Sequence, residues 1–116
     1  MNTEIGNAIS RLSQDFRENI LELQGLLEDD FDPNGMDTNR WWTPLQFAMI
    51  QNNIHEDYKL EVIALLLFYG AGPLRTNVDG QNAFDTARSY GTPLIMQLLL
   101  QGVEYVQLAG QNTREH

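Results

Sequence analysis

The chain has no cysteine, so a disulfide framework and a thiolate metal site are both excluded. Cations are scarce: seven basic residues stand against sixteen acidic ones, and Lys59 is the sole lysine. Direct binding to nucleic acid or to an anionic membrane needs the opposite field and is disfavoured. The longest apolar runs, Val62 to Phe68 and Leu98 to Leu100 with their flanks, are far too short to span a bilayer. The N-terminus, Met-Asn-Thr-Glu-Ile-Gly, lacks the basic and apolar regions of a secretory signal, so a soluble intracellular protein is the simplest expectation. The two histidines, His55 and His116, meet no catalytic partner pattern, and no glycine loop is spaced to cradle phosphate. No catalytic residue, metal ligand set or cofactor motif is therefore expected.

What remains is enough chain for one domain with a modest core, residues 1–116. The acidity is concentrated early: residues 1–32 carry eight acids against only Arg11 and Arg17. A basic protein partner would be attracted, although acidity can also serve solubility alone. Apolar residues Ile5, Ala8, Ile9, Leu12 and then Phe16, Ile20, Leu23, Leu26, Leu27 recur at three- and four-residue steps, which predicts two helices over residues 3–29. Their break falls near Ser13-Gln14-Asp15, where Ser13 or Asp15 can cap the second helix.

Thr43-Pro44-Leu45-Gln46-Phe47-Ala48 opens the next helix, with Thr43 as the cap and Pro44 at the first helical position. Asn82-Ala83-Phe84-Asp85-Thr86-Ala87 is a weaker echo, and Leu60 to Gly70 forms a second helix ending at a glycine suited to positive φ. These stretches resemble the T-P-L-H-x-A signature and the L-E-V-V-x-L-L-L-x-x-G helix of the ankyrin repeat family. The resemblance implies an all-α ankyrin-repeat solenoid of three helix-turn-helix repeats with short β-hairpin fingers. An N-terminal capping repeat would cover about 3–34, the second repeat about 35–74, and the third repeat with a C-terminal tail about 75–116. Helices are expected over Pro44 to about Gln51, over Ala83–Tyr90 and over Pro93–Gln101, the last stopped by Gly102. Thr43 to Gly70 is 27 steps where Asn82 to Gly102 is 20. The excess, Asn52 to Lys59, reads as an enlarged loop or an extra helical turn.

Asp30-Phe31-Asp32-Pro33-Asn34-Gly35 matches the start of a calcium-binding EF-hand loop, but Trp41 stands where the bidentate glutamate belongs. The repeat register makes it a turn instead. The sharper pointer is Arg40-Trp41-Trp42 in the first finger, the composition of an interface anchor, unless one indole folds back over its own repeat. The resemblance places Asn39, Gln51, Asp79, Gln81 and Tyr90 on the same concave face. The last helix is apolar nearly all round, so either the tail (Tyr105, Val106, Leu108) or another protein should cover it, and the tail is the expected cover.

The resemblance implies a protein-binding module, monomeric or partner-bound; the absence of a catalytic residue set makes it non-enzymatic, and the acidic charge disfavours nucleic acid and membrane. Binding and inhibition of a basic protein, in the manner of an immunity protein, an antitoxin or a host-modulating inhibitor, suits its size and charge. The alternative is a structural adaptor docking through the apolar last helix.

Overall fold

A computed structural model describes residues 3–29, 31–34, 42–51, 54–90 and 92–114, with side chains described from Glu4 to Val103. It is all-α. Six helices follow in order: α1 (Thr3–Arg11), α2 (Phe16–Glu28), α3 (Pro44–Met49), α4 (Glu56–Phe68), α5 (Ala83–Tyr90) and α6 (Pro93–Arg114). No strand occurs among the described residues, and the expected first finger, 35–42, lies outside them except for Trp42.

Local chemistry accounts for several helix ends. Asp15 caps α2 by accepting from the Glu18 N–H at 3.3 Å. Thr43 caps α3 through a complete capping box: its hydroxyl accepts from Gln46 N–H, and the Gln46 side-chain Oε1 accepts from Thr43 N–H at 2.9 Å. Asn82 and Asp85 exchange the same pair of bonds at the start of α5. At the end of α4, Gly70 takes φ +102°, Gly70 N–H reaches Leu67 O and Ala71 N–H reaches Leu66 O. That is a Schellman motif, which occupies two carbonyls the last turn leaves without partners. Phe31 N–H reaches Leu26 O in the equivalent register after α2.

The helices pack as three consecutive pairs, α1 with α2, α3 with α4 and α5 with α6. Between pairs, α3 touches α1 and α5, while α4 touches α2 and α6. Odd helices thus form one layer and even helices the other, and the molecule extends 45 × 31 × 27 Å. The core between the layers includes Ile5, Ile9, Leu23, Leu45, Met49, Ile63, Leu66, Ile95 and Leu99, all at most 2% exposed.

Two expectations need correction. Gly102 does not stop the last helix, which runs on to Arg114. A Cβ at Gly102 would come within 2.8 Å of a Leu67 methyl and 3.4 Å of Pro73 Cγ, so the missing side chain serves the approach of α6 to α4. The tail also does not fold over the last helix, because it continues that helix. No proline interrupts residues 94–114, and isolated glycines cost a helix only about 1 kcal/mol each.

Over its described residues, 54–59, the excess includes an extra helical turn, since α4 starts at Glu56 rather than Leu60. It is anchored. Ile54 is buried, the Tyr58 ring stacks on Phe16 at 4.1 Å and 5°, and Lys59 Nζ donates to Met49 O at 2.8 Å. Met49 is the last residue of α3, so the lysine satisfies a carbonyl at that helix end.

Candidate functional site

Of the residues marked out by sequence, Asn39, Arg40 and Trp41 lie outside the described residues. Trp42 is half-buried immediately before the α3 cap, and Asp79 and Gln81 are exposed in the turn before α5. Gln46 brings these two places together. It is fully buried, and its amide nitrogen donates to both Gln81 O and Asn82 O at 3.1 Å while its oxygen holds Thr43 N–H. One carboxamide therefore lies between the backbone of Thr43 and that of Gln81. Gln51 lies two residues past the C-terminal end of α3, and Tyr90 is the last residue of α5. The Gln51 amide is occupied by Phe47 O at 3.0 Å, whereas Tyr90 is exposed.

The turn at 77–81 is built around a buried asparagine. Asn77 Oδ1 accepts from Asp79 N–H and Gln81 N–H, and Asn77 N–H donates to Gln81 O at 2.8 Å. Gly80 N–H returns to Asn77 O, with Gly80 at φ +78°, a conformation that favours glycine. Val78 and Asp79 are left exposed at the tip. Where the repeat resemblance implies a β-hairpin finger, the described residues form a closed turn and no strand. A parallel link joins the other ends of the pairs: Asn34 accepts from Gly72 N–H and donates to Gly70 O at 3.1 Å.

The charges are unevenly matched. Arg11 pairs with Glu22, Arg17 with Glu61 at 3.2 Å and Arg88 with Asp85 at 2.8 Å. Arg17 also lies over the stacked Phe16 and Tyr58 rings, 5.6 and 5.4 Å from their centroids. Burial pushes the Lys59 ammonium below its ordinary 10.5, partly opposed by the Glu56 carboxylate. No three His, Asp or Glu side chains converge as metal ligands among the described residues. Asp32 of the EF-hand-like stretch instead accepts from Asn34 N–H at 2.8 Å, a local turn. No helix among the described residues is long and apolar enough to cross a membrane.

The even layer carries a feature that sequence reasoning missed. Asp57, Glu61, Ala64 and Phe68, at steps of four, three and four, form the outward stripe of α4, and all four are exposed. Shallow grooves run along both sides of this ridge, one toward Leu21 and Gln24 of α2 and one toward Leu94 and Leu98 of α6. Phe68 is 77% exposed and Leu21 66%, and they share the first groove. Sequence alone does not separate this stripe, because the neighbouring Leu65, Leu66 and Leu67 make α4 apolar on every side.

No family model matches this chain, and no solved structure matches it.

Proposed function

We propose that the chain is a non-enzymatic protein-binding module of the ankyrin-repeat kind, a three-repeat solenoid that binds and inhibits a basic protein. The observation that carries this reading is the Gln46 link, which joins the capped start of α3 to the closed turn before α5. The link holds Asp79 and Gln81 at a defined distance from Trp42, and such pre-organisation lowers the ordering cost of binding. Asn39, Arg40 and Trp41 would extend the same face, with Tyr90 at its far end. The net charge of −9 steers a cationic partner toward it. Occlusion is the mechanism that suits a rigid face of this kind.

The test is capture from the native organism's lysate with wild type and with a Trp41→Ala/Trp42→Ala/Asp79→Lys variant that melts normally. A basic protein retained by wild type only, and inactivated at one-to-one stoichiometry, is the expected result. A captured partner that remains fully active would end the inhibitor reading. Equal capture by both proteins would remove the site from the turn side.

A second reading is an adaptor that docks through its last helix. It is favoured by Leu94 and Leu100, each 54% exposed on α6.

A further inference from the structure

We infer that the outer face of the even layer is a docking site for a basic amphipathic helix of another protein, seated along the α4 ridge. The inference is independent of the turn-side site. It rests on the adaptor reading only in sharing α6 as one wall.

The shape comes first. Ala64 lines the grooves on both sides of α4, and its single methyl marks the low point of the ridge between Glu61 and Phe68. A small residue at that position lets another helix axis come close, while Phe68 and Leu21 flank the seat. Asp57 to Phe68 spans eleven residue steps, a rise of about 16 Å, which matches about three turns of a docked helix. Single exposed leucines are ordinary on a protein surface. Here Leu21, Ala64 and Phe68 are contiguous along one groove, and Leu94 and Leu98 continue the apolar surface across the other.

Charge selects the occupant. Asp57 lies at one end of the ridge with no ion pair among the described residues. Glu28, following Leu21 and Gln24 along α2, accepts hydrogen bonds from two neutral groups, Gln24 and the Tyr69 hydroxyl, and has no ion pair among the described residues. Between these carboxylates Arg17 neutralises Glu61, so the centre is apolar and both ends are negative. A helix with Leu, Ile or Met at one face and Lys or Arg near both ends complements this pattern. A second copy of the chain does not, since each copy carries −9 and would set carboxylate against carboxylate.

The probe is a synthetic fourteen-residue Leu/Lys amphipathic helix, titrated into the full chain and followed by amide chemical shifts. A matched peptide with Glu in place of Lys is the control, and sedimentation of the chain alone reports its oligomeric state. Shifts should cluster at Leu21, Ala64 and Phe68, the Glu peptide should not bind, and affinity should fall with salt. Leu21→Ser/Phe68→Ser, both at exposed positions, should weaken binding roughly tenfold or more, the loss typical of a truncated anchor. Unchanged affinity in that variant, or shifts confined to residues 77–81, overturns the proposal. If Leu100→Ser abolishes binding while the double variant does not, docking is on α6 away from the groove. In that case the adaptor reading survives and this one falls. A dimer that dissociates in the double variant also overturns it, because the face would then be filled by a second copy.

Discussion

Replacing Gln46 by methionine tests whether the hydrogen bonds of a single carboxamide hold consecutive helix pairs together. Methionine keeps the length and approximate volume of the side chain, so packing changes little. Three bonds disappear: Thr43 N–H to Oε1 at 2.9 Å, and Nε2 to Gln81 O and Asn82 O at 3.1 Å each. They are not equivalent. Gln81 O still accepts from Asn77 N–H, and Asn82 O still accepts from Thr86 N–H, so these acceptors are weakened rather than orphaned. Thr43 is 5% exposed and its N–H is left buried without a partner, a penalty of about 1–3 kcal/mol. With roughly 0.5–1 kcal/mol for each of the other two, the expected loss is about 3 kcal/mol. That is a large share of the ~5–15 kcal/mol typical of a domain. At an m-value of about 1.5 kcal/mol/M, the urea midpoint should fall by about 2 M with the slope unchanged. A Gln46→Glu variant separates donors from acceptor. It keeps the oxygen that holds Thr43 N–H but aims carboxylate oxygens at two carbonyls, so it should be least stable near neutrality and recover as acid protonates the glutamate. A loss below about 1 kcal/mol for Gln46→Met would refute the argument, since the link would then be geometry without energetic consequence.

Gly102→Val should cost about 2 kcal/mol in the same assay, because its branches must displace Leu67 and press on Pro73 where α6 crosses α4; a neutral result would mean that the approach is not tight. Lys59 gives a pH signature. Its folded pKa lies below the unfolded 10.5, so the unfolded chain binds more protons and stability gains as pH rises between the two values. Lys59→Met should remove that alkaline gain from the urea midpoint and lose the bond to Met49 O; an unchanged difference between the two proteins up to pH 10.5 would contradict the assigned burial.

The parts of the fold legible in sequence are those with a local cause. Asp15, Thr43, Pro44, Asn82 and Gly70 each act within one helical turn of their own position, so residue type and spacing suffice to place them. The parts that were not legible depend on contacts distant in sequence. Gly102 looks like a helix stop until Leu67 is seen against it. The polar run before Lys59 reads equally as a loop or an extra helical turn, and what favours the turn is Tyr58 stacked on Phe16, 42 residues earlier. Matching finger positions placed Asp79 and Gln81 in the exposed turn, yet missed the buried Gln46 that holds it. Its signal was available, as a threonine cap followed three residues later by glutamine is a capping box. No such signal marks the α4 ridge, because in a helix apolar all round only burial distinguishes Phe68 from Leu66.

The two inter-pair links also separate the two candidate surfaces physically. Asn34 ties the turn after α2 to the turn after α4, the ends of the even helices whose flanks form the outer grooves. Gln46 ties the starts of α3 and α5, the odd helices that carry the turn at 77–81. Both links cross between neighbouring pairs, so each contributes to the nearest-neighbour coupling that makes a stack of such units unfold together. They should still act on binding separately. Loosening Gln46 frees the 77–81 turn from the α3 cap while α4 keeps its contacts with α2 and α6. A Gln46→Met protein held well below its melting temperature should therefore lose affinity for a turn-side partner and keep its affinity for the Leu/Lys helix. Equal loss of both would mean that the layers are coupled more tightly than these contacts imply, and that the two surfaces behave as one site.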